Sequence, residues 1–130
     1  MPRAIRIHQN GGPEVMRFED VELGPPGASE VRLRHAAIGI NFSDVNVRRG
    51  GFYFGRPQQF PLQLGNEAAG VIEAIGDGVS SFSVGERVAY AGMRGEFFED
   101  TGAYTEARNV PAERLLKVPG VTKVNLYGTQ

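Results

Sequence analysis

Glycine and proline set the grain of this chain. Its 18 glycines and 8 prolines fall between short apolar runs and not in one low-complexity block, so regular elements are repeatedly cut short. What lies between them has strand character. Arg3 to His8 reads R-A-I-R-I-H, with Ile5 and Ile7 alternating against polar neighbours, and predicts a strand. An Asn10-Gly11-Gly12-Pro13 turn leads to a hairpin partner over Val15 to Leu23. Pro25-Pro26-Gly27 then breaks the chain. Further strands are predicted over Glu30 to Ile40, Ala68 to Ile75, Arg87 to Ala91, Tyr104 to Val110 and Arg114 to Val118. Asn41 to Arg49 is the one segment that predicts a helix, about two turns long, with Asn41 or Ser43 as its cap and Arg48-Arg49 suited to its C-terminal dipole. Gly50 to Leu64 reads as an irregular loop. Short strands at roughly 8–12-residue spacing with turn signals between them predict an all-β barrel or sandwich.

The remaining composition narrows the function classes. With 130 residues, 41% of them hydrophobic and 22% charged, the chain holds one domain with a single core. A net charge of −1 provides no electrostatic footprint for nucleic acid or an anionic membrane surface. No apolar run approaches the roughly 20 residues needed to span a bilayer. The opening Met-Pro-Arg-Ala-Ile-Arg-Ile lacks the apolar core of a signal peptide, which leads to the expectation of a cytoplasmic protein. The sequence has no cysteine, which excludes disulfides, thiolate catalysis and cysteine-based zinc sites. His8 and His35 lack paired ligand spacing and read as structural residues. The run Gly76-Asp77-Gly78-Val79-Ser80-Ser81-Phe82-Ser83-Val84-Gly85 lacks the strand–Gly-rich turn–helix context of a phosphate site, and two turns around Phe82 account for it.

Two segments carry a family likeness: GINFSDVNVRRGGFY from Gly39 to Tyr53 and PLQLGNEAAGVIEAIGDGV from Pro61 to Val79. Together with Phe82, Gly85-Glu86-Arg87-Val88 and Gly102-Ala103-Tyr104, in that order and spacing, they resemble the catalytic GroES-like domain of the medium-chain dehydrogenases/reductases. Within that superfamily they are most similar to the zinc-free quinone oxidoreductases, the zeta-crystallin-like group. The resemblance covers about Arg3 to Pro119. It implies a mainly β fold, a distorted GroES-like barrel with one or two short helices, over residues 1–119, followed by a tail at 120–130 that is not family-like. The Rossmann domain that would follow in the family is not in the sequence. In zinc-dependent relatives a cysteine ligand stands at the position of Asn41 and a histidine at that of Asn66, so the resemblance implies no zinc.

The same resemblance places residues. Asn41 would face the nicotinamide and substrate through its amide, with Asp44 ordering the pocket; read from spacing alone, both are helix caps. Asn46 stands where the quinone reductases often carry an aromatic ring, and would either bond a cofactor hydroxyl or lie on a solvated helix face. Arg48 and Arg49 offer positive charge that could meet a phosphate, but read first as surface charge at a helix end. Tyr53, beside Phe52 and Phe54, would close over a flat acceptor or plug the loop onto the barrel. Glu67 would be a partly buried acid that needs a partner, an arginine or backbone amides, or else burial raises its pKa; it would serve in proton delivery or stand as a buried structural carboxylate.

The implied activity is zinc-independent hydride transfer from NADPH to a quinone or enone. Asn41 and Tyr53 would carry the chemistry on the acceptor side, and Asn41, Asp44, Asn46 and Glu67 would meet the cofactor. The chain alone is expected to be inactive, because it holds one wall of the site. Exposed apolar surface would then favour a homo-oligomer. The other reading is a free-standing, non-catalytic β-barrel that binds a protein partner or a small aromatic ligand.

Overall fold

A computed structural model describes residues 1–50, 58–91 and 101–119. The first strand, β1 (Arg3–Ile7), is joined through a 3₁₀ turn at Pro13–Val15 to β2 (Met16–Asp20). Then come β3 (Glu30–Gly39), the helix α1 (Phe42–Arg49), the two-residue β4 (Leu62–Gln63), β5 (Glu67–Ile75), β6 (Arg87–Ala91), β7 (Ala107–Pro111) and β8 (Leu116–Lys117). All the named pairings are antiparallel and form two sheets, ordered β2-β1-β4 and β7-β3-β5-β6-β8. The mainly β, barrel-type expectation therefore holds.

The two sheets are closed by the segment before β7. Ile5 donates to the Tyr104 carbonyl at 2.8 Å, Glu106 to the Arg3 carbonyl at 3.0 Å, and Ala4 bridges Thr105. Residues 104–106 thus turn toward β1, although the Glu106 carbonyl still accepts the His35 N–H of β3 at 2.9 Å, and β7 begins at Ala107 and not at Tyr104. Three further boundaries differ from the pattern reading. The hairpin partner starts one residue later, after the 3₁₀ turn at Pro13–Val15, and ends at Asp20 and not at Leu23; β4 emerges within the loop assigned to Gly50–Leu64, and Ala112–Arg114 is a 3₁₀ turn before β8. The expected tail at 120–130 lies outside the described residues.

The core follows from alternation along β3, where Val31 and Leu33 are fully buried and Arg34 is exposed. They join Ala68, Ile72, Val88, Tyr90, Ala103, Val110 and Leu115 in the main cluster. Register shifts at Arg32/Leu33 and His35/Ala37 bend β3 against β5, as strand irregularities do in barrels. A second, smaller cluster of Ile7, Val15, Val47 and Leu64 anchors α1 to the β1 sheet. Phe18, Ile38, Ile40 and Phe42 remain exposed, which supplies the apolar surface expected from the sequence.

His35 is structural, as expected, but it titrates outside the usual range. Its Nδ1 donates to the Thr105 carbonyl at 2.8 Å, and Tyr90 Oη lies 3.1 Å from Nε2. Burial pushes its pKa from 6.5 down to about 4. The folded chain thus keeps His35 neutral where the unfolded chain protonates it, so its contribution to stability is full above pH 6.5 and is lost as pH falls toward 4. Urea unfolding between pH 7 and pH 4.5 should show stability falling by up to about 1.4 kcal/mol per pH unit from this group. A His35→Gln variant should lose that part of the slope.

Candidate functional site

The site grows from the first turn of α1. Asn41 has extended backbone angles, φ −127° and ψ 151°, and is the N-cap. Its backbone N–H donates to Asp44 Oδ2 at 2.9 Å, so the N3 carboxylate reaches back to the cap in the manner of a capping box. The far end of the helix is held by sequence-distant groups. Gly50, at φ +81°, donates to the Asn46 carbonyl, Asn10 Nδ2 donates to the Val47 and Arg48 carbonyls, and Arg48 Nε donates to the Gly11 carbonyl at 3.1 Å. Arg48 is therefore buried and ties the helix to the Asn10–Gly11 turn, contrary to its reading as surface charge; Arg49 is exposed.

Asp44 is the hub. It is 4% exposed, and both of its oxygens are used. Oδ2 accepts the Tyr104 hydroxyl at 2.6 Å as well as the Asn41 N–H, and Oδ1 accepts Asn66 Nδ2 at 3.3 Å. The Asn66 amide also donates to Ser43 Oγ at 2.9 Å. The donation to Asp44 fixes the amide's orientation, because a carboxylate accepts and the Ser43 hydroxyl can face either end of an amide. The Asn66 carbonyl oxygen is thereby turned away, buried and without a hydrogen-bond partner.

Glu67 lies beside this network, at the start of β5 and opposite Gly39 of β3. A Cβ at Gly39 would run into the Glu67 carboxylate, so glycine is what lets the acid sit there. Burial raises its pKa above the ordinary carboxylate range; the Asn41 side chain pulls it back, and the Asp44 charge raises it further. The sequence reading offered an arginine or backbone amides as the partner, but the group that favours the charged form is the Asn41 side chain, which lies near the carboxylate without completing a hydrogen bond of ordinary geometry. Three buried polar atoms in this cluster have no hydrogen-bond partner: Asn41 Nδ2, Asn66 Oδ1 and Glu67 Oε1. Each such atom costs about 1–3 kcal/mol when left alone.

Of the sequence-predicted residues, the structure brings together Asn41, Asp44 and Glu67. Asn46 is half-buried on the helix, and no hydrogen bond of its side chain joins it to the cluster. Tyr53, with Phe52 and Phe54, lies outside the described residues. Residue reading passed over Tyr104 and Ser43 as site residues, and weighed Asn66 only as a lost ligand position. Tyr104 was visible only as the end of Gly102-Ala103-Tyr104, and no spacing rule connects it to Asp44. Burial and its hydrogen bond to Asp44 raise the Tyr104 pKa above the usual phenol range. On its other side Tyr104 helps line an apolar cleft of about 380 Å³ with Ile5, Phe18, His35, Ile38 and Ile40.

The cluster offers carboxylates, carboxamides and hydroxyls, with one unpartnered donor and two unpartnered acceptors. Among the described residues, no group of three His, Asp or Glu side chains is arranged to hold a metal ion. No helix there is long and apolar enough to cross a membrane.

Comparison with known proteins agrees with this architecture. The alcohol dehydrogenase GroES-like domain family matches residues 27–120. The chain is 43% identical over 122 residues to a 2-haloacrylate reductase of Burkholderia sp, covering 92% of this chain and 34% of that protein. It is 40% identical over 119 residues to a quinone oxidoreductase of Pseudomonas aeruginosa, again covering 92% and 34%. The crystal structure of Escherichia coli quinone oxidoreductase complexed with NADPH superposes with a TM-score of 0.77 at 34% identity, covering 90% of this chain and 33% of that one. The chain thus spans about a third of the length of the relatives it matches. It belongs to the alcohol dehydrogenase GroES-like domain family.

Proposed function

We propose that this chain forms the acceptor-side wall of an NADPH-dependent, zinc-independent reductase of quinones or enones. The observation that carries the reading is the buried cluster at the start of α1, where the Asn41 amide nitrogen lies near the Glu67 carboxylate without a hydrogen bond of ordinary geometry and so remains available as a donor. A quinone or enone carbonyl is an acceptor only, and such a donor is what it lacks in an apolar pocket. The names of the similar proteins, a 2-haloacrylate reductase and quinone oxidoreductases, point to the same substrate class.

The reduced nicotinamide, when bound, supplies the hydride. The chain's own residues do the rest. Asn41 holds the acceptor's oxygen and stabilises the charge that builds there. Asp44 fixes Asn41 through its backbone N–H, and Glu67 limits where the Asn41 amide can turn. Asn66 Oδ1 and Glu67 Oε1 are acceptors that suit a group bearing a donor, such as the carboxamide of the nicotinamide or the hydroxyl of a reduced quinone. The unpartnered donor and acceptors therefore fit the cofactor's polar end as well as the substrate.

The test is NADPH oxidation with tetramethyl-1,4-benzoquinone as acceptor. The 130-residue chain alone should show no turnover in the usual enzyme range of roughly 1–10³ per second. Joined to the remaining two-thirds of the Burkholderia reductase, it should support turnover, and Asn41→Ala should lower kcat by about 10²-fold, the effect of removing one stabilising donor. A folded, NADPH-binding chimera with no activity toward quinones or enones would refute the reading.

A further inference from the structure

We infer that Tyr104 is a positioning residue of this site, setting through Asp44 the direction in which the Asn66 carboxamide points. Its importance for function rests on the reading above, whereas the geometry stands apart from it. The Tyr104 hydroxyl makes the shortest bond in the network, 2.6 Å to Asp44 Oδ2. The main chain of Tyr104 is pinned on both sides, its N–H donating to the Leu64 carbonyl at 2.8 Å and its carbonyl accepting from Ile5 at 2.8 Å. The ring packs with the Ile7, Val15, Val47 and Leu64 cluster. The phenol therefore has little freedom, and the carboxylate it holds inherits that order.

Asp44 passes the constraint to two groups. Through Oδ2 it sets the cap at Asn41, and through Oδ1 it selects the nitrogen side of Asn66. Ser43 alone does not make the selection, because a hydroxyl both donates and accepts and so can face either end of the amide. Ionised Asp44 only accepts, so it rejects the carbonyl end. With the phenol in place, the Asn66 carbonyl is presented as an acceptor. Without it, Asp44 Oδ2 keeps one donor, the carboxylate can rotate, and the amide can flip. The ligand group read by Asn66 is accordingly one that brings a hydrogen-bond donor.

The experiment is solution NMR of the Asn66 side-chain amide in the ligand-free chain and its Tyr104→Phe variant, with thermal unfolding measured alongside. Phenylalanine keeps the ring and its packing. The prediction is that the Asn66 amide protons shift and exchange with solvent about tenfold faster, as loss of one hydrogen bond of ordinary strength implies, while core resonances stay in place. Asn66 amide signals that superimpose on those of the unaltered chain would overturn the inference, as would changes spread evenly through the core. Asp44→Asn gives the same decision if Tyr104→Phe does not fold, since an amide no longer rejects the Asn66 carbonyl. Titration of both proteins with tetramethyl-1,4-benzoquinone separates the two claims. Weaker binding by the variant is expected, and no binding by the unaltered chain would count against the proposed function while the amide result still decides the role of Tyr104.

Discussion

Replacing Gly65 with alanine should destabilise the domain by about 3 kcal/mol or more, the range of a backbone strain compounded by a steric clash. Gly65 sits at φ +105°, a region that L side chains rarely adopt. A Cβ there would lie 2.5 Å from Tyr104 Cδ1 and 2.7 Å from the Tyr104 backbone nitrogen. The ring alone can shift, but the backbone nitrogen is fixed by its bond to the Leu64 carbonyl. Relief therefore means pulling the 64–66 segment from the 102–104 segment, which also breaks the Gly102 N–H bond to the Gly65 carbonyl. The Tyr104–Asp44 bond would go with it. Gly24→Ala, where nothing lies within 4 Å of the added methyl, is the matched control. Urea unfolding of both variants checks the prediction: a large fall in midpoint for Gly65→Ala and almost none for Gly24→Ala.

Asp44→Ala should cost about 2–6 kcal/mol, from the usual penalty of about 1–3 kcal/mol for each of two buried donors left without a partner. The Tyr104 hydroxyl and the Asn41 N–H both lose Asp44 Oδ2, and Asn66 retains only Ser43. The helix also loses a negative charge at its N-terminus, where the dipole favours one. Removing the exposed Glu22 should change stability by no more than about 0.5 kcal/mol, as for most surface substitutions. Equal effects of Asp44→Ala and Glu22→Ala in equilibrium unfolding would show that Asp44 is not the hub described.

Much of the barrel could be read along the chain, because alternation and turn residues are local signals. β1, β3, β5 and β6 fall within a residue of where Ile5/Ile7, Val31/Leu33 and the Gly76 and Gly85 turns put them. The errors arise where distant segments decide. β7 starts late, after Tyr104 and Glu106 bond to β1, about a hundred residues away in sequence. Arg48 looked like dipole-matched surface charge because nothing near it in sequence shows that the Asn10–Gly11 turn closes over it. Asn41 and Asp44 were legible as a cap, and the structure supplies that role without removing the other, since capping uses Asn41's backbone N–H while its amide nitrogen stays unpartnered. Tyr104 and Ser43 were not legible as site residues, because their chemistry is defined by a fold contact with Asp44 and Asn66 and by no motif.

The most direct measurement of the central claim is an NMR titration of the 130-residue chain with tetramethyl-1,4-benzoquinone, following backbone and side-chain amides. Half of a site should bind weakly, with Kd on the order of 1 mM, equivalent to about 4 kcal/mol. Shifts should concentrate at Asn41, Ser43, Asp44, Asn66 and Tyr104, and should be lost in Asn41→Ala. Shifts confined to the apolar cleft around Phe18, Ile38 and Ile40, with the α1 cluster unmoved, would contradict the claim and favour a barrel that binds aromatic ligands without reducing them.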